Sequence, residues 1–410
     1  MPDQLDVQIV EAEHAPATTD PDGALRHALR KPIGSSPLRQ RVRSSDTIAI
    51  IVNDITRPTP YRFILPILLE EIDHVPDEHV TIFVATGTHR STSTDELRAM
   101  LGDGVVDRFR IVQNDAEDRS SHLKAGVTSS SNAVWIHRRV LECDLRILTG
   151  FIEPHFFAGF SGGPKACVPG MALLSTILRN HCPANIDHPK ATWGITRGNP
   201  IWEEINEAAR MASPSFLLNV TMNRDKALTG VFAGDVERAH ASGCELARRT
   251  SMVEVKKPCE IVITSNSGYP LDLNLYQAVK GMSAAARIVA KGGTIILAAD
   301  CWDGIPDHGQ YKRLLSQADD PSALLEKIRA LEVATQDTWQ AQIHALVCAK
   351  ASVHLFSDNL TDDEIRNAML IPCHDVAAAV HSAVEDHGPE ATVAIMSEGP
   401  QTIPFLSGGL

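Results

Sequence analysis

The feature that most constrains this chain is a repeated alternation. Short runs rich in β-branched residues are each followed by a polar loop and then by a longer stretch of helical periodicity. TIAIIV at 47–52, VTIFVA at 80–85, LRILTG at 145–150, EIVITS at 260–265, GTIILAA at 293–299, VHLFS at 353–357 and TVAIM at 392–396 read as strands. YRFILPILLEEI, STDELRAML, PSALLEKIRAL, TDDEIRNAM and HDVAAAVHSAVEDH read as amphipathic helices, several opening on a Ser, Thr or Asp cap. This is the pattern of an α/β protein with mainly parallel sheets. A chain of 410 residues is also too long for one core. A break is expected near 250–268, where RRTSMVEVKKPCE closes a long helical stretch and EIVITS starts a new series, giving domains 1–255 and 256–410, the second a smaller Rossmann-like layer.

Charge narrows the partners. Lys and Arg total 38 against 51 Asp and Glu, a formal net charge of -13 that would repel a polyphosphate backbone. Nucleic acid is therefore not an expected partner, whereas a small anion gripped by a few placed cations is. The eight cysteines never approach C-x-x-C spacing and read as reduced thiols, which points to the cytoplasm. The opening MPDQLDVQIVEAEHAP has no basic start and no apolar run, and no segment reaches the roughly 18 apolar residues of a membrane span. A soluble protein with no membrane partner is expected.

In open α/β sheets, ligands bind beyond the carboxyl ends of the strands. After the first strand comes Asn53-Asp54-Ile55-Thr56-Arg57-Pro58-Thr59-Pro60, stiffened by two prolines. Arg57 there, oriented by Asp54, could grip a carboxylate bidentately; taken alone, the pair reads equally as a surface ion pair. The next strand ends in Ala85-Thr86-Gly87-Thr88-His89-Arg90, so His89 and Arg57 should be neighbours. The segment 150–170, GFIEPHFFAGFSGGPKACVPG, has too many glycines and prolines for regular structure, yet Phe156, Phe157 and Phe160 demand burial. An ordered, packed loop is expected, in which the amides of Gly162 and Gly163 could form an anion nest. Pro164 before Lys165, with no Ser or Thr after it, rules out a P-loop. Residues 175–181 read as a helix ending at His181, and the spacing of His181, Cys182 and His188 matches no common zinc site. In the second half, 264–281 runs from a strand end through a Gly/Pro turn into a helix start, with Tyr276, Gln277 and Lys280 within about one turn.

Taken in order, these segments resemble the nickel-pincer-nucleotide lactate racemase family over nearly the whole chain. The resemblance rests on P-I-G-S-S-P at 32–37, D-I-T-R-P-T-P at 54–60, G-T-H-R at 87–90, I-E-P-H-F-F-A-G-F-S-G-G-P-K at 152–165, P-G at 169–170, N-H at 180–181 and G-Y-P-L-D-L-N-L-Y-Q-A-V-K-G at 268–281. It implies an N-terminal domain that binds cofactor and substrate, a C-terminal domain that closes over the cleft, and an active site between the two. The implied cofactor is a nickel-pincer nucleotide, a pyridinium mononucleotide with a thioamide and a thiocarboxylic acid, holding Ni(II). Lys165 matches the tethering lysine, His181 the single protein ligand to the metal, and Ser161, Gly162 and Gly163 belong to the cofactor loop. Sulfur donors with one imidazole suit planar Ni(II). His89 and His155 match the two acid/base histidines. Asp54 and Arg57, with Tyr276, Gln277 and Lys280, match the substrate-binding residues. Cofactor-biosynthesis enzymes are implied as partners for activation.

The implied activity is racemisation or epimerisation of a small 2-hydroxy acid. The α hydrogen is too weakly acidic for simple abstraction, so reversible oxidation to a planar 2-keto acid is the easier route to inversion. A neutral imidazole is needed as base, so activity should fall as pH drops below roughly 6.5. Two departures stand out: Pro164 before the lysine, and Gln113-Asn114-Asp115 where the family often has His-Asp. Either change could bear on the side chain the substrate carries. An NAD-dependent 2-hydroxyacid dehydrogenase is disfavoured because no G-x-G-x-x-G follows a strand. A noncatalytic carboxylate-binding homologue is the other alternative.

Overall fold

Two separate six-stranded sheets account for the alternation. The computed structural model describes residues 5–307, 309–331 and 333–408. In the first sheet the order is Leu228–Gly234, Phe216–Met222, Leu145–Phe151, Ile48–Asn53, Val80–Ala85, Arg110–Gln113. Every neighbouring pair but the first is parallel. Ile48 through Val52 are fully buried, as a strand covered on both faces must be, and Ile64, Leu65 and Leu68 of helix Tyr61–Glu70 share one core with Ile48, Ile50 and Val52. The second sheet is parallel throughout, in the order Asp6–Ile9, Thr392–Met396, Cys259–Ser265, Val289–Ala298, Ser352–Phe356, Ile371–Cys373.

The chain forms two compact units, but not by the single cut expected at 255/256. One unit is His14–Asn180 with Thr196–Thr250; the other joins the stretch ending at Glu13, His181–Ile195 and the chain from Ser251 onward. Non-local bonds explain the difference. Asp6–Ile9 pairs in parallel with Thr392–Met396, Asp6 opposite Thr392. The strap 181–195 is stitched down at four points. Gln342 Nε2 donates to the Pro183 carbonyl (2.9 Å), Arg329 grips Asp187 through two bonds (2.7 and 3.1 Å), Arg287 donates to the Thr192 hydroxyl (2.7 Å), and the Trp193 indole donates to Ser283 (3.2 Å). Among the described residues no helix is long and apolar enough to cross a membrane.

Candidate active site

Strands Ile48–Asn53 and Val80–Ala85 run side by side with Asn53 opposite Ala85, so the loops leaving their carboxyl ends are neighbours. Each loop is braced. The Asn53 amide N–H donates to the Tyr61 hydroxyl (2.7 Å), while Asn53 Oδ1 accepts from the hydroxyls of Tyr61 (3.0 Å) and Thr59 (3.1 Å). In the second loop, Gly87 N–H donates to the Gly170 carbonyl, the Thr86 hydroxyl to the Asn114 carbonyl, and the Gln113 amide bonds both backbone groups of Thr92.

The braced loops bring Asp54 Oδ2 to 2.6 Å from His89 Nδ1. Asp54 is buried, which by itself would raise its carboxyl. The hydrogen bond and charge of His89, the charge of Arg57 and the Thr56 hydroxyl outweigh burial and hold it below the usual carboxylate range. An ionised carboxylate only accepts, so His89 Nδ1 carries a proton and, when the ring is neutral, the lone pair lies on Nε2, in a side chain 43% exposed. This corrects the expected partnership of Asp54 with Arg57. The short bond goes to the next loop, and among the described residues the Arg57 guanidinium hydrogen-bonds the carbonyl (3.4 Å) and hydroxyl (3.3 Å) of its neighbour Thr56.

Segment 150–170 is packed as its aromatics require, with Phe156, Phe157 and Phe160 all buried. It is less irregular than expected, because Pro154–His155 and Gly159–Phe160 form a tight antiparallel pair and Gly163–Ala166 a 3-10 turn. His155 stacks on the Phe156 ring (centroids 5.0 Å apart) and meets the edge of Phe157 (4.6 Å). Its Nδ1 accepts from the Ala158 amide at 3.3 Å.

The anion nest is not formed. Gly163 N–H donates to Asn219 Oδ1 (2.7 Å), and both glycines have positive φ (74° and 57°), whereas a nest alternates αR and αL. A Cβ on Gly163 would lie 2.5 Å from the His240 ring, so glycine is needed for close approach. The Ser161 hydroxyl is spent inside the loop, donating to the Phe151 carbonyl (2.9 Å) and accepting from Glu153 N–H (3.0 Å). Ser161, Gly162 and Gly163 therefore build the loop. Lys165 is half-buried on the 3-10 turn, its amine 5.7 Å from the Phe157 ring centroid.

In the second unit, Leu275–Ala285 begins beyond the carboxyl end of strand Cys259–Ser265. Buried Asn266 clamps that helix, accepting from Gly281 N–H (2.8 Å) and donating to the carbonyls of Leu271 and Gln277. Lys280 Nζ donates to Gln277 Oε1 at 2.7 Å, so the i, i+3 pair shares a face as expected. His181 is buried, with the Trp339 ring edge-on at 5.2 Å. The next residue, Gln340, donates to the Tyr276 carbonyl, so the start of helix Thr338–Lys350 touches both His181 and the helix carrying Gln277 and Lys280. Trp339 and Gln340 lay in a segment where the sequence offered no motif.

His240 was also missed, since a lone histidine inside helix Val236–Ser251 carries no signal. Its Nε2 donates to the Ser161 carbonyl (2.8 Å), its ring stacks on Trp202 (5.0 Å), and burial pushes it down to about 4. An unfolded histidine titrates near 6.5, so as pH falls the unfolded chain takes up this proton first. The stability of the neutral ring is fully present above about 6.5 and is lost progressively from about 6.5 down to about 4. The melting temperature should fall across that window, and His240→Gln, which keeps a donor, should flatten the fall. Superimposable melting curves of the two proteins from pH 7 to 4.5 would count against this account.

The comparisons with known proteins agree with this architecture. Residues 1–194 match the lactate racemase N-terminal domain and residues 254–403 the lactate racemase C-terminal domain. The lactate racemase of Lactiplantibacillus plantarum is 40% identical over 375 residues, 91% of this chain and 88% of that protein. The chain belongs to the lactate racemase family. The lactate racemase of Thermoanaerobacterium thermosaccharolyticum is 37% identical over 382 residues, 92% of this chain and 89% of that one. The structure of the apoprotein of a lactate racemase from that organism superposes with a TM-score of 0.93 at 34% identity, covering 98% of this chain and 96% of that one. A Thermotoga maritima protein at 19% identity and TM-score 0.68 shares the fold.

Proposed function

We propose that this member of the lactate racemase family racemises a small 2-hydroxy acid. The observation that carries the reading is the Asp54–His89 pair, a buried carboxylate that fixes an imidazole with its basic nitrogen outward, with the Arg57 guanidinium on the loop that carries Asp54. Arg57 holds the substrate carboxylate through its planar fork. His89 Nε2 takes the hydroxyl proton from one enantiomer, and His155 serves the other. Gln277 and Lys280, joined to each other at 2.7 Å, and the neighbouring Tyr276 supply the remaining polar contacts to substrate.

The nickel-pincer nucleotide implied by the sequence fits these residues. Among the described residues no group of three or more His, Cys, Asp or Glu side chains could hold a metal ion, so a nickel ion here must bring most of its donors with it. Lys165 offers a primary amine on a short turn, half-buried beside an aromatic face, a suitable point of attachment, and His181 offers one buried imidazole. When bound, the group supplies a reversible acceptor for the α hydrogen with its electron pair, leaving a planar 2-keto acid that can take the hydrogen back on either face. Loading needs cofactor-biosynthesis enzymes as partners, and we place the protein in the cytoplasm with them, consistent with eight free cysteines.

The test uses protein coexpressed with those enzymes and a panel of single-enantiomer 2-hydroxy acids deuterated at the α carbon. Chiral chromatography should show the opposite enantiomer forming with most of the deuterium retained. Release of stoichiometric keto acid would favour a dehydrogenase. Washout of deuterium would point to proton abstraction. Nickel-loaded protein that leaves every substrate unchanged would favour the noncatalytic reading.

A further inference from the structure

Helix Pro200–Met211 buries an apolar face of Ile201, Trp202, Ile205, Ala208 and Ala209, and in that face sits one acid, Glu204, only 7% exposed. Its carboxyl is met by neutral donors. Oε1 accepts from the hydroxyls of Thr128 (3.0 Å) and Ser130; Oε2 accepts from the side-chain amides of Asn132 (3.3 Å) and Asn180 (2.7 Å). A hydrophobic side chain would be cheaper to bury at such a position, so the acid calls for a reason beyond packing.

The donors show where it acts. Asn180 is the last residue of helix Leu174–Asn180, 1% exposed, and also donates to the Ile201 carbonyl (3.2 Å). Asn132 holds the same helix one turn earlier, donating to the Thr176 carbonyl (3.0 Å). His181 follows Asn180 directly. On its other side the chain is fixed again, Pro183 by Gln342 and Asp187 by Arg329. The residue immediately before His181 is therefore pinned by its side chain.

We infer that Glu204 is a positioning residue for the metal ligand: by holding Asn180 it fixes the backbone from which the His181 imidazole projects. This rests on the reading of His181 as the protein's donor to nickel. A donor set with a single protein imidazole depends on that ring's aim, because no second side chain corrects an error in it.

The test measures nickel retention in protein coexpressed with the cofactor-biosynthesis enzymes and challenged with a chelator, with intact mass reporting the group on Lys165. Glu204→Ala should release nickel on the order of 10-fold faster or more, in line with the usual effect of residues that orient a ligand, with the mass on Lys165 unchanged. Glu204→Gln should restore retention to within about 3-fold. Its amide oxygen can face the two asparagines, while the Thr128 and Ser130 hydroxyls turn to accept from its NH2. If Glu204→Ala does not fold, Asn180→Ala carries the test, since it leaves Thr128, Ser130 and Asn132 on the acid, and it should release nickel faster in the same way. Wild-type retention in whichever of these variants folds, while His181→Ala loses the metal, would overturn the inference. Wild-type retention in His181→Ala would instead remove the reading on which it rests. Glu204→Gln behaving like Glu204→Ala would also overturn it, since the amide preserves the hold on Asn180.

Discussion

Lys165→Ala should abolish attachment of the cofactor and, with it, racemisation, while leaving the fold intact. The loop has many anchors besides this amine. Its backbone is held by Gly163 N–H on Asn219, by Ser161 between Phe151 and Glu153, by Gly170 N–H on the Lys165 carbonyl, and by three buried phenylalanines. The half-buried Lys165 places its amine 5.7 Å from the Phe157 ring centroid, a cation–π contact worth on the order of 1 kcal/mol. The melting temperature of the protein without cofactor should therefore move by only a few degrees. Intact mass should show the unmodified chain, and turnover should fall by at least about 10⁴-fold, the scale expected when the group carrying the chemistry is lost. Lys165→Arg tests charge against chemistry, because a guanidinium keeps the cation but does not form the thioamide. Normal racemisation by either variant would refute the tether, and an unfolded Lys165→Ala protein would show that the loop depends on the side chain after all.

How much of this was legible in the sequence follows from how local each signal is. The seven strands read from β-branched runs all lie in the two main sheets, because a strand covered on both faces must be apolar along its length, as Ile48–Val52 is. Asp6–Ile9 was not legible. It is a largely exposed edge strand whose partner lies more than 380 residues away in the chain, and nothing local marks it. The pair Phe216–Met222 and Leu228–Gly234 was missed for a different reason, since it is the one antiparallel pair in a sheet otherwise built from strand-helix alternation. The strap 181–195 joins the other unit through Gln342, Arg329, Arg287 and Ser283, all distant in sequence.

The same distinction runs through the site. Lys280 and Gln277 could be paired from their spacing on a helix. Asp54 was assigned to Arg57 because the two are three residues apart, whereas the sheet register delivers it to His89, 35 residues on. The glycines at 162 and 163 suggested a ligand, yet the close approach they permit is to the protein's own Asn219 and His240. Of the residues departing from the family pattern, Gln113 braces the His89 loop through both backbone groups of Thr92, and the Asn114 side chain bonds the Ala172 carbonyl and His122. Close approach and sheet register are properties of the folded chain, and local composition reports them only as an unusual density of glycine and proline.

Asp54→Asn should lower turnover by about 10²- to 10⁴-fold while leaving the cofactor mass and substrate binding by Arg57 largely intact. The effect follows from the tautomer. The Asp54 carboxylate, which only accepts, obliges His89 to keep its proton on Nδ1 and present a lone pair at Nε2. An asparagine amide can donate to Nδ1 instead, and the ring would then carry its proton on Nε2, where no base is left. His89→Ala removes the ring outright and should lose at least as much, and His155→Ala should lose a comparable factor through the second face. The two histidines are not equivalent, however, because the Asp54 carboxylate stands behind His89, whereas His155 Nδ1 accepts from a backbone amide. Single-turnover experiments starting from each pure enantiomer should therefore separate the variants. Asp54→Asn and His89→Ala should slow oxidation of one enantiomer far more than the other, and His155→Ala should show the opposite preference. Equal slowing of both enantiomers in all three variants would mean that one histidine serves both faces, and the assignment of a separate base to each would have to be abandoned.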